Sequence, residues 1–432
     1  MALLLKGGRL VDPAAGLDTV ADVVIRDGVI VEIGEDLTIP KGVTIECAEK
    51  LVLPGLVDLH VHLREPGRED EETVASGKRA AAHGGFTGIC PMPNTEPVAD
   101  EGSAITALMD LADDGFPVQV FPVGAMTVKQ AGELMAEIGD MHHAGAVAFS
   151  DDGRCVQDSG VMRRVMDYAK MFPITLMSHC QDDALAGRGV VNEGVVSTRL
   201  GLPGYPAAAE EIMIARDIAL CELTGCRVHV QHVSTARGVE LIRVAKAAGL
   251  PVTCEVTPHH LFLDEDMLDL TYGTNRKMNP PLRTAADREA LLDGLVDGTV
   301  DAIATDHAPH AAHEKQLEFE LAPFGTTGLE TALSLVNTHL VACGRVTWSQ
   351  VAQWMCHGPR SCVPLIPEQR IEVGRPGTLT IVDPEARVEV TREWFVGTSR
   401  NSAFLGAKLL GKATEVLVDG EWALKGGKVV ER

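Results

Sequence analysis

Apolar residues in this chain gather in short runs, separated by stretches in which they recur at helical spacing. From residue 52 to residue 365 the runs read LVLPGLVDLHVH (opening at Leu51), FTGICPMPN, FPVQVFPVG, AVAFSDDG, ITLMSHCQD, RVHVQHVS, PVTCEVTPHH and DAIATDHAPH. Eight such runs alternating with helical stretches predict parallel strands joined by crossover helices, the pattern of an α/β protein whose sheet closes as a (β/α)8 TIM barrel. The ends of the chain have a different texture. LLLKGGRLVD, ADVVIRDGVIVEIG and GVTIECAEK, punctuated by Gly, Asp and Pro, predict small antiparallel strands over residues 1–51. GTLTIVD, ARVEV and EVLVDGEWALKGGKVV repeat the pattern over 366–432, with Asp419-Gly420 as a hairpin turn. Both ends are expected to pair into one small β-sandwich domain beside a 52–365 barrel.

Composition narrows the classes of partner. With 432 residues and 45% hydrophobic content the chain can bury a sizeable core, and 43 glycines against 4% aromatics suit an α/β enzyme. A formal charge of −23 repels nucleic acid and anionic lipid, so neither partner is expected. Ten cysteines are scattered singly with no C-x-x-C pair, and MALLLKGG is too short in its apolar part for a signal peptide or a membrane span. These features predict a cytoplasmic protein.

Several runs change character at their C-terminal ends, where barrel enzymes build their sites. Alternation along a strand puts His60 and His62 on one face, and two neutral imidazoles on one face can grip one metal ion. The competing reading of any such residue alone is an ordinary strand-end hydrogen bond. Asp152, His179, His232 and Asp306 sit at corresponding tips of the fourth, fifth, sixth and eighth runs. Six such groups aimed at one rim exceed the needs of one tetrahedral ion and suit two divalent cations. His60, His62 and Asp306 are assigned to one ion, His179 and His232 to the other, and Asp152 to the bridge. Zinc is the expected metal, two per subunit with a single ion as the alternative, and manganese or cobalt are competing identities.

HVHLREPG, PMPNT, FSDDG, TPHH, NPPLR, TDHAPH and PFGTTGLET together resemble the dihydroorotases of the bacterial long-chain class, within the amidohydrolase superfamily. The resemblance runs over essentially the whole chain. It implies a zinc-dependent cyclic amidase that reversibly closes N-carbamoyl-L-aspartate to L-dihydroorotate with release of water, in pyrimidine biosynthesis. In the ring-opening direction hydroxide supplied by the metals attacks the amide carbonyl. Asp306 then acts as the acid and base that moves the proton to the ring nitrogen. A homodimer and an association with aspartate carbamoyltransferase are further implications.

The same resemblance assigns the substrate contacts. Arg64 offers a planar fork for the substrate carboxylate. His62, Asn94 and His310 join it as carboxylate and ring partners, and Asn279 with the backbone of Phe324 and Gly325 meets the ring amide. One departure is plain: many relatives bridge their metals with a carbamylated lysine on the fourth strand, whereas AVAFSDDGRC contains none and leaves that task to Asp152. His142, His143 and His229 are expected to be structural or exposed, the last because its strand parity opposes that of His232. His259 and His260 are either orienting groups or packing residues. His313 belongs to a segment after the eighth strand in which Gly325 and Gly328 are expected hinges. Two rival functions remain open at this point: another cyclic amidase such as dihydropyrimidinase, hydantoinase or allantoinase, and a silent partner of aspartate carbamoyltransferase.

Overall fold

The computed structural model describes residues 2–431. Eight parallel strands form the central barrel: Leu56–Val61, Phe86–Pro91, a third strand made of Gln119–Val120 and Val123–Gly124, Ala148–Ser150, Thr175–Ser178, Val228–Val230, Val252–Val256 and Ala302–Ile303. Phe121 and Pro122 interrupt the third because proline has no N–H for the ladder. The barrel closes where Val61 pairs with His307, His62 N donating to His307 O at 2.9 Å. Helices cross between successive strands, among them Val74–Gly84, Ser159–Ala169, Ala208–Thr224 and Ala285–Val296. Ser159–Ala169 shows why they form: the Asp158 carboxylate caps it by accepting from Val161 N, and Val161, Met162, Val165, Met166 and Ala169 make one buried stripe.

The terminal segments share a nine-stranded sheet. Ala2–Asp12 pairs with Leu51–Pro54, and Leu379–Glu389 from the far end pairs antiparallel with that same short strand. Leu3, Leu5, Ile25 and Ile30 from the first part and Leu379, Ile381 and Leu417 from the second pack into one apolar cluster, so the sheet folds over on itself as the expected sandwich. The hairpin at Asp419-Gly420 forms with both residues in the left-handed region, φ 50° and 76°, and Val418 pairs with Glu421 across it.

The first predicted run is two strands rather than one. Leu51–Pro54 belongs to the sandwich and Leu56–Val61 to the barrel. Gly55 is the joint: a Cβ there would stand 2.4 Å from Thr87 Oγ1 and 2.8 Å from Thr378 Cγ2, so only glycine lets the two units meet this closely. No helix among the described residues is long and apolar enough to cross a membrane.

Candidate metal centre and substrate cavity

All six predicted metal-ligand residues meet at the C-terminal mouth of the barrel. Asp152 stands at the centre. Its Oδ2 lies 3.3 Å from His60 Nε2 and 3.3 Å from His62 Nε2, and its Oδ1 lies 3.5 Å from His179 Nδ1 and 3.4 Å from His232 Nε2. One carboxylate thus faces two pairs of imidazoles, one pair on each oxygen. Asp306 Oδ1 completes the first group, 3.5 Å from His60 Nε2 and 3.1 Å from His62 Nε2. Two sets, His60–His62–Asp306 and His60–Asp152–His232, hold their donor atoms within 4.8 Å of one another.

The hydrogen bonds around this centre orient the imidazoles. His60 Nδ1 meets Glu255 Oε1 at 2.8 Å, His62 Nδ1 meets Asn94 Oδ1 at 2.9 Å, and His179 Nε2 meets Gln181 Oε1 at 3.2 Å. Each outer nitrogen faces an acceptor, which favours a proton there and leaves the inner nitrogen turned to the centre, able to offer a lone pair to a metal. Lone pairs held against carboxylate oxygens repel unless a cation stands between them. His60 Nε2 and Asp152 Oδ1 are buried and lack any hydrogen-bond partner, which fits a divalent cation as the missing one.

Electrostatics point the same way. Burial alone would push His60 down, but Asp152 and Asp306 hold it well above its ordinary value. Burial likewise opposes His179, yet its hydrogen bond to Asp152 raises it. Asp152 and Asp306, against a desolvation that favours the neutral acid, are drawn below the usual carboxylate range, chiefly by His60. The centre attracts positive charge, as protons or as metal.

Several of these residues sit beyond the strands that aim them. Strand four ends at Ser150 and strand six at Val230, and His232 and Asp306 adopt left-handed backbone, φ 32° and 47°. That turn sends His232 inward and removes the parity argument applied to His229. His229 is itself fully buried in the barrel, donating toward Glu255 Oε2 at 3.1 Å, so Glu255 holds His60 and His229 together. Exposure is therefore excluded for His229.

A cavity of about 320 Å³ opens above the centre, lined by His62, Arg64, Asn94, Asp152, His179, His232, Asn279, Asp306, His310, Phe324 and Gly325 among others. Every residue expected to meet substrate lines it. Arg64, at φ 62°, sends Nε to Glu71 Oε2 and to Pro309 O, both at 3.2 Å, and its Nη2 lies 3.5 Å from His310 Nε2. His310 Nδ1 meets Glu71 Oε1 at 2.9 Å. Asn279 Nδ2 donates to Gln181 Oε1 at 3.0 Å. Asn94 keeps its Nδ2 for the cavity because its carbonyl is taken by His62.

Sequence reasoning missed Glu71, Glu255 and Gln181. No local pattern marks them, although Glu255 is a charged residue inside an apolar run, a signal that was there to be read. The expected hinges fare differently. A Cβ at Gly325 would meet Ala308 Cβ at 2.5 Å, and one at Gly328 would meet Thr305 Cβ at 2.8 Å. Those glycines let the segment pack closely against the strand-eight end. His260 is fixed between Thr257 Oγ1 and Pro280 O, a packing role, while buried His259 Nε2 has no hydrogen-bond partner.

Solved structures share this architecture from end to end. An L-hydantoinase (dihydropyrimidinase) from Arthrobacter aurescens superposes with a TM-score of 0.89, covering 100% of this chain and 97% of its own at 26% identity. A D-hydantoinase follows at 0.87 and 25% identity. Fold and site together define a cyclic amidohydrolase. The sequence comparisons are more particular: a dihydro-orotase-like family model matches residues 49–238. A dihydroorotase from Pelotomaculum thermopropionicum is 50% identical over 97% of this chain and 98% of its own length, and one from Acetivibrio thermocellus is 48% identical over 97% and 98%. The chain belongs to the dihydroorotase family.

Proposed function

We propose that the protein catalyses the reversible cyclisation of N-carbamoyl-L-aspartate to L-dihydroorotate, using two zinc ions held by His60, His62, Asp152, His179, His232 and Asp306. The observation that carries this reading is the meeting, in one cavity, of a buried imidazole–carboxylate centre with Arg64, His310 and Asn94. The first suits opening of an unactivated amide; the second suits a ring that bears a carboxylate. When bound, the metal ions supply Lewis acidity toward the ring carbonyl and a source of hydroxide near neutral pH.

The chain's own groups do the rest. Arg64 is held by Glu71 through its Nε, which leaves its outer nitrogens to grip the substrate carboxylate beside His310 and Asn94. Asn279 and the Phe324–Gly325 backbone orient the ring amide groups. Asp306, kept ionised by its imidazole neighbours, takes the proton of the attacking water and hands it to the ring nitrogen as the amide C–N bond breaks. In the synthetic direction it takes that proton from the ureido nitrogen as the bond forms and water leaves.

The hydantoinase-like fold favours a second reading, hydrolysis of neutral rings. Dihydroorotate and dihydrouracil assayed side by side, before and after chelation, separate the two. Loss of dihydroorotate turnover on chelation, restored by zinc, supports the proposal, and faster hydrolysis of the neutral ring would refute it. The filled ligand set argues against a silent homologue. Ten unpaired cysteines, nine of them buried, support a reducing cytoplasmic setting. A homodimer, with aspartate carbamoyltransferase as a further partner, belongs to the same proposal and is checked by light scattering with and without that enzyme.

A further inference from the structure

Behind the substrate wall lie two buried lysines whose ammonium groups hydrogen-bond only to backbone carbonyls. Lys277 Nζ donates to Glu320 O at 2.9 Å and to Ala322 O at 2.7 Å, while its own carbonyl accepts from Gly325 N at 2.8 Å. Lys315 Nζ donates to Pro323 O at 2.8 Å and to Thr274 O at 3.0 Å. Neither forms a salt bridge among the described residues, and they are only 2% and 8% exposed. Lysines are almost never buried this fully without a carboxylate, because desolvating an ammonium is expensive.

Both charges face one place. Lys277 Nζ stands 4.5 Å from the centroid of the Phe324 ring, and Lys315 holds the carbonyl of Pro323. Pro323 and Phe324 line the cavity next to His310, whose Nε2 is 2.7 Å from Phe324 O and 3.5 Å from Arg64. Two cations therefore sit one layer behind a wall that adjoins His310, one of the residues to which the substrate carboxylate is assigned.

We propose that Lys277 and Lys315 are specificity-determining residues, buried cations that favour a ring bearing a carboxylate over a neutral ring. The proposal rests on the dihydroorotate reading above. Acting through protein rather than water, a unit charge about 10 Å away favours an anion by about tenfold and leaves a neutral ring almost unaffected. The charge is also conditional. Burial pushes Lys277 down to about 8, and burial together with the charge of Lys277 pushes Lys315 down to about 7. Glu320 faces Lys277; Glu314 and Glu71 favour the charged form of Lys315, and Arg64 opposes it.

The test uses the zinc-loaded full chain, with dihydroorotate and dihydrouracil as substrates and Lys277→Met and Lys315→Met as variants. Methionine keeps the apolar stem and removes the charge. At about pH 6.5, where both lysines are mostly charged, each variant is expected to lose up to about tenfold in kcat/KM on dihydroorotate, carried by KM, with a change below about threefold on dihydrouracil. In the wild type, KM for dihydroorotate is expected to rise between about pH 6.5 and 9 as the lysines lose charge, with no matching rise for the neutral ring. Equal losses on both rings, or a fall in kcat at constant KM, would make the lysines mere supports of the wall and overturn the proposal while the assigned reaction stands. Faster turnover of dihydrouracil by the wild type would instead refute the reaction. If a variant does not fold, parallel pH profiles of the two wild-type KM values are enough to overturn the idea.

Discussion

Replacing Glu255 by glutamine tests how the centre is held together. Its carboxylate is fully buried and joins His60 Nδ1 at 2.8 Å to His229 Nε2 at 3.1 Å. Burial would raise it, but hydrogen bonds from His229 and His60 hold it down to about 2, so it is ionised at any working pH. A charge-assisted hydrogen bond is worth about 1.5–3 kcal/mol, against about 1 kcal/mol for a neutral pair. Glutamine keeps the shape and one acceptor and forfeits roughly 1–2 kcal/mol of the force that turns His60 Nε2 toward the centre. About tenfold weaker metal binding follows, within the range usual for groups that orient a ligating histidine. Competition for zinc against a chromophoric chelator measures this directly, and kcat at saturating zinc should stay within about threefold. Combining Glu255→Gln with His60→Ala should add little to the loss caused by His60→Ala alone, since both act through one ring. An unchanged zinc affinity in the single variant, or full additivity in the double, would refute the reasoning.

Other substitutions probe the remaining assignments. Asp306→Asn should lower turnover by about 10³-fold or more with the fold retained by circular dichroism, and turnover near wild type would remove it from the proton-transfer role. Asp152→Ala takes away the oxygens facing all four imidazoles and should reduce bound zinc from two equivalents toward one or none, counted by elemental analysis. Arg64→Ala should raise KM for dihydroorotate about 100-fold by removing a bidentate contact, with a smaller effect on kcat; a pure kcat defect would argue against carboxylate binding. His60 and His179 are raised above their unfolded values, so their stabilisation of the zinc-free protein is complete below the unfolded histidine value and fades as pH rises through the higher folded values. Zinc needs the same nitrogens unprotonated, so the gain in Tm on adding zinc should be larger at about pH 8 than at about pH 6, and a reversed order in scanning fluorimetry would contradict the assigned ligands.

The repeating alternation of apolar runs and helical stretches, their polar C-terminal tips and the Asp419-Gly420 turn are local signals. They were enough to define the barrel, the paired chain ends and the ring of imidazoles and carboxylates, because strand and helix periods act over a few residues. What the tertiary structure decided is everything that depends on register around the closed barrel. Whether Leu51 to Pro54 belong to barrel or sandwich depends on which neighbours offer free backbone groups, and those lie in Ala2–Asp12 and in Leu379–Glu389, the latter more than three hundred residues away. His229 and His232 both point inward because a left-handed turn at His232 breaks the alternation that parity assumes. Glu255 reaches His60 across 195 residues, and Glu71 reaches His310 across 239. Such pairs leave no periodic trace in the chain: a buried carboxylate is tolerable only where folding delivers its partner, and that delivery is a property of the closed barrel rather than of any segment.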